Sequence, residues 1–127
     1  MQNFRSLSLV LLCYLFVSSC GKSLPALEGF THDVWKQDMN PCNHKRTAMR
    51  ESVKQQKDKL LGLDEMDILN MLGKPDENEL YTRNQKFYHY YLEPSPACSS
   101  MTAQPGSAEK LTLRFNALGL VKEVTVN

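Results

Sequence analysis

The chain carries almost no net charge: 15 basic residues stand against 14 acidic ones over 127 positions. That balance lacks the electrostatic footprint of a nucleic-acid binder. A long hydrophobic run is also missing. The longest apolar stretch, Leu7 to Val17, has eleven residues with one interruption at Ser8, whereas a membrane-spanning helix needs about 20. Histidine is scarce, with His32, His44 and His89 only. Cys42-Asn43-His44 has no second pair at ligand spacing, so no metal is expected. Asp38-Met39-Asn40 lacks the remainder of a calcium loop. Asp64, Glu65 and Asp67 cluster, but a helix start explains them without acid–base work. With no catalytic or cofactor motif in view, the chain is not expected to be an enzyme, and no cofactor is expected. Its length allows one small domain.

What is present begins at the N-terminus. Arg5 and the run from Leu7 to Val17 have the form of a secretory leader. The leader ends in Val17-Ser18-Ser19-Cys20-Gly21, which resembles the lipobox of bacterial lipoproteins: a branched apolar residue, two small residues and a cysteine. The resemblance implies a signal peptide over residues 1–19, cleavage before Cys20, and acylation of that cysteine. Each buried methylene would contribute about 0.8 kcal/mol to membrane anchoring. Gly21 and Lys22 follow, without an acidic sorting residue. By the same resemblance this favours the outer membrane, lipid-anchored on its periplasmic face. Loss of Arg5 leaves 14 basic residues against 14 acidic ones. An exported protein meets an oxidising space. Cys13 leaves with the leader and Cys20 is taken by lipid, so Cys42 and Cys98 remain and are expected to form one disulfide.

Pro25 and Gly29 suggest a tether over residues 20–33, with a single domain over 34–127. Phe30, Val34, Trp35 and Met39 recur at roughly helical intervals, and Trp35 reads as a core plug. Asn40-Pro41, or Asn43, is expected to start a helix that runs to Leu61 and ends at Gly62. Its apolar stripe holds Cys42, Met49, Val53 and Leu60, which points Cys42 inward. Arg46 shares the stripe and is expected to be half buried against a carboxylate or carbonyls. From Lys45 to Lys59 six basic residues outnumber two acidic ones. A solvated helix face is preferred here to a lipid or acidic-partner contact.

A second helix follows, capped by Asp64 with Asp67 three residues on, stapled by Leu63 and Ile68, and ended by Gly73 and Pro75. Glu79–Thr82 can form a short strand. Lys86–Leu92 is the strongest strand signal, with Tyr88, Tyr90 and Leu92 on one face and Phe87, His89 and Tyr91 on the other. Glu93–Ala108 is a Pro- and Ser-rich loop pinned by Cys98, with a mobile second half expected. Lys110–Asn116 alternates, Asn116–Gly119 turns, and Leu120–Val126 returns. The expected fold is α+β: two helices packed on a three-stranded, possibly four-stranded, antiparallel sheet.

This order resembles the SmpA/OmlA (BamE-like) lipoprotein family. The residues that carry the resemblance are Gly62, Leu72-Gly73-Lys74-Pro75, the aromatic strand Phe87 to Tyr91, and Phe115, Asn116, Gly119 and Val121. It spans roughly residues 60 to 127. It implies a BamE-like fold and a non-catalytic interaction module in outer-membrane assembly or envelope integrity. The implied partners are the membrane, through Cys20, and an outer-membrane or envelope protein. The Trp35 to Cys42 segment and the cysteine pair depart from the family pattern. Phe87, His89 and Tyr91 are the candidate interaction surface. The alternative is an inhibitor or ligand-sequestering lipoprotein of the periplasm or cell surface.

Overall fold

The computed structural model describes residues 22–98 and 108–127. The expected signal peptide and the lipidation site at Cys20 lie outside the described residues, as do positions 99–107 in the loop expected to be mobile. The described chain forms helices α1 (His32–Gln37), α2 (Lys45–Ala48) and α3 (Arg50–Gln56), a 3-10 turn (Lys57–Leu60), and helix α4 (Glu65–Leu72). Four strands follow, β1 (Glu77–Tyr81), β2 (Gln85–Tyr91), β3 (Lys110–Phe115) and β4 (Val121–Val126). All neighbours pair antiparallel, in the order β1-β2-β3-β4. The architecture is α+β, with a four-stranded sheet.

Alternation drives the layering. Leu111, Leu113 and Phe115 of β3 are fully buried, and the register sets Leu113 between Tyr88 of β2 and Val124 of β4. Paired residues share a face, so Tyr88, Tyr90, Val121 and Val124 join the same core. The helical layer supplies Trp35, Met49, Val53, Leu60, Ile68, Met71 and Leu72. Trp35 is a core plug, and its indole N–H donates to the Leu72 carbonyl at 3.1 Å.

Helix α4 forms as its sequence dictates. Asp64 Oδ1 accepts from Asp67 N at 2.9 Å, and Asp67 Oδ2 accepts from Asp64 N at 3.3 Å, a reciprocal capping box. Leu63 and Ile68 are both buried beside it. Gly73 ends the helix at φ +74, ψ −166, in extended positive-φ backbone and not in a left-handed helical turn. A side chain there would also meet Lys36 Cγ at 2.9 Å.

The basic helix differs from expectation. It begins at Lys45, one residue beyond the start that the Asn43 alternative gives and well past Asn40, and bends at Met49. The cap comes from outside the run. Asp38, 1% exposed, accepts from the amides of Asn43 at 3.0 Å, Lys45 at 2.7 Å and Arg46 at 3.2 Å. Asn40 and His44 take positive φ, so the chain between them turns without forming a helix. Cys42 therefore sits in an exposed turn and does not face inward from a helix. Its bridge to Cys98 nevertheless forms, across a Cα–Cα distance of 5.6 Å.

The segment read as a tether lies docked over residues 22–31. Leu27 is buried, Lys59 Nζ donates to the Ala26 carbonyl at 3.1 Å, and the Glu28 amide donates to Gln56 Oε1 at 2.8 Å.

Candidate interaction surface

The β2 face away from the helices carries Phe87, His89 and Tyr91, and the register brings the β1 glutamates onto them. Glu77 pairs with His89, and Glu79 with Phe87. His89 is 6% exposed. Its Nδ1 lies 2.8 Å from Thr112 Oγ1 and its Nε2 2.8 Å from Glu79 Oε2. Both ring nitrogens are engaged, which suits a tie across three strands better than a base awaiting a substrate. Tyr91 donates to Glu77 Oε1 at 2.7 Å. Burial, with Glu77 adding to it, pushes the Tyr91 phenol up to about 12. Phe87 is half-buried, stacked on His89 and met edge-on by Tyr81, with centroids 6.3 and 6.0 Å away. The predicted trio thus forms one row on the sheet, and its exposed portion is Phe87 together with Tyr81.

The adjoining edge is more open. Every residue of β1 is exposed, Leu80 at 79% and Tyr81 at 65%. The opposite edge is covered. Gly62 N donates to the Val121 carbonyl and Val121 N to the Leu63 carbonyl, each at 2.9 Å. Lys57 Nζ reaches the Val124 carbonyl at 3.1 Å. Among the described residues, β1 is therefore the sheet's open edge. An unpaired edge can accept an added strand, and Glu77 and Glu79 oppose unselective pairing there.

The two cysteines sit at the far end of the sheet, around Asn40. The Asn40 carbonyl accepts from Ser95 N at 3.0 Å and its Oδ1 from Ser95 Oγ at 2.9 Å. Asn40 N donates to Asp76 Oδ1 at 2.9 Å. Asp76 Oδ2 takes Arg46 Nη1 at 2.6 Å and Tyr91 N at 2.8 Å. Arg46 was expected to be half buried. It is completely buried, its Nε donates to the Trp35 carbonyl at 2.9 Å, and its guanidinium lies 4.7 Å from the Trp35 ring centre.

No group of three or more metal-ligating side chains comes together among the described residues. Sequence reasoning missed the open β1 edge, the cap from Asp38 and the Asp76 partner of Arg46. Leu80-Tyr81 carried a usable signal for the edge, because two adjacent large apolar residues in a strand point to opposite faces. Comparison with protein-family models, with curated proteins and with solved structures gave no match.

Proposed function

We propose that the protein is a membrane-anchored bacterial lipoprotein and a non-catalytic interaction module of the outer membrane, serving envelope assembly or integrity. The leader that ends in Val17-Ser18-Ser19-Cys20 carries this reading, because it puts a cysteine where cleavage should fall. The Cys42–Cys98 bridge supports it, since structural disulfides belong to oxidising compartments. The open β1 edge over Glu77–Glu79, with half-buried Phe87 beside it, is the binding surface of choice. A partner strand adding there gains main-chain hydrogen bonds, with half-buried Phe87 giving selectivity.

The test has two arms. Intact mass of the protein from membranes should show loss of residues 1–19 and acyl chains on Cys20, and Cys20→Ser should release the protein from the membrane fraction. A photo-crosslinking residue at Asn78, exposed in β1, should in intact cells trap a defined outer-membrane protein that a probe at exposed Lys122 does not trap. An unacylated Cys20 refutes the lipoprotein reading. Crosslinks absent at Asn78, or equal at both positions, refute the edge as the docking surface.

A further inference from the structure

One end of the domain gathers the most exposed apolar side chains. The register of β2 with β3 aligns Lys86 with Phe115, so the Thr82–Asn84 turn and the Asn116–Gly119 turn lie at the same end of the sheet. The start of α4 joins them, because Asp64 bridges to Leu120 and Glu65 binds Lys86 at 2.8 Å. This end presents Leu118 at 83%, Leu80 at 79%, Tyr81 at 65% and Met66 at 63% exposure. No other large hydrophobic side chain among the described residues exceeds the 45% of Leu61. Arg83, at the tip of the β1–β2 turn, adds a cation.

The N-terminal segment arrives at this same end. Lys22 is held by Asp67, and by Asp64 at 3.6 Å, at the start of α4. Cys20 lies two residues before Lys22, so the chain can carry it no more than about 7 Å further. Residues 22–31 are docked along the helices, which leaves little slack between an anchor on Cys20 and this end.

On the lipoprotein reading above, on which this rests, we infer that the Met66–Leu80–Tyr81–Leu118 end is a membrane-contact surface that seats on the leaflet holding the acyl chains. The chemistry suits a lipid interface. Leucine and methionine supply apolar area, Tyr81 has the amphipathic ring favoured at headgroup depth, and Arg83 can extend toward phosphates. The anchored domain then has a fixed orientation. The Asn40 and Cys42–Cys98 end points away from the bilayer, and the β1 edge stands upright from it.

The test uses full-length acylated protein in vesicles of phosphatidylethanolamine and phosphatidylglycerol, with acylation checked by intact mass. A nitroxide is placed on Met66→Cys or Leu118→Cys, and on Met39→Cys at the opposite end as control. All three positions are exposed, so the fold tolerates the label. Collision with an aqueous nickel complex should fall several-fold at positions 66 and 118, collision with oxygen should rise there, and position 39 should be unchanged. Acylated protein whose labels at 66 and 118 stay as aqueous as that at 39 overturns the surface and leaves the anchor standing. Shielding seen in native envelopes but not in pure-lipid vesicles also overturns it, in favour of a protein partner at this end. A bare Cys20 overturns the anchor, and the surface inference with it.

Discussion

Removing the charge of Arg46 should cost this small domain a large part of its stability. The pair with Asp76 has no exposed atoms on either side chain. Truncating one partner of such a pair leaves a buried, uncompensated charge, at about 3–5 kcal/mol, against about 5–15 kcal/mol for a whole domain. Arg46→Met keeps most of the stem against Trp35 and Tyr90 but strands the Asp76 carboxylate. Two amides, from Asn40 and Tyr91, still donate to that carboxylate, so the lower part of the range, about 3 kcal/mol, is expected. Asp76→Asn strands the cation instead. One of its nitrogens, Nη2, already lacks a partner, so the cost should be at least as large. The double variant removes both charges and keeps one carbonyl oxygen, an acceptor for one of the two amides. It should recover more than about 2 kcal/mol relative to the sum of the single changes, as coupled neighbours do. Urea unfolding followed by the fluorescence of Trp35, the sole tryptophan and fully buried, reads this directly. With a slope of about 1.5 kcal/mol/M each single change should lower the midpoint by about 2 M. Single costs below about 1 kcal/mol, or costs that simply add, would refute a buried coupled pair.

Two further outcomes are expected. Cys42→Ser with Cys98→Ser should cost about 4 kcal/mol by loop-closure entropy over the separation of 56 residues, and reduction of the native protein should shift the urea midpoint by the same amount. Hydrogen bonding to Lys22, with the Asp64 amide adding to it, holds the Asp67 carboxyl below its ordinary value against the opposing effect of burial. A carboxylate lowered in this way stabilises the fold above its unfolded pKa of about 3.9, and that contribution is lost as pH falls through the folded value. Lys22→Ala should therefore raise the Asp67 pKa in an NMR titration and make stability fall less steeply below about pH 4; an unmoved Asp67 would show that Lys22 is not docked there.

The legible parts of the fold rest on contacts close in sequence. The capping box of Asp64 and Asp67 spans three residues, and the alternation in Lys110–Phe115 needs only its own period. The two aromatic faces of β2 followed from the same arithmetic, although which of them the helices cover did not. What escaped depends on distant partners. Asn40-Pro41 has the local form of a helix start, but Asp38 supplies the cap and positive φ at Asn40 and His44 delays the helix. Arg46 could be placed on the buried stripe, but its partner Asp76 lies 30 residues later. The disulfide followed from counting cysteines in an exported chain. The inward-facing Cys42 expected from the apolar stripe is not found, because that residue occupies the turn ahead of α2. The docking of residues 22–31 had no periodic signal, since it rests on single side chains such as Gln56 and Lys59 reaching backbone groups.

That docked segment also has a mechanical consequence. Tension applied ahead of Lys22 would load its attachments in series: the Asp67 and Asp64 contacts first, then Lys59 on Ala26, then Gln56 and Ser52 on Glu28, and then Thr31 on Met49. Contacts loaded one at a time peel at low force, whereas the antiparallel sheet behind Trp35 is not loaded until they are gone. About ten residues would be released this way, and a nearly extended chain of that length adds roughly 30 Å of reach. The domain thus carries an extensible leash folded against its own flank, and its distance from whatever holds the N-terminus is set by the load.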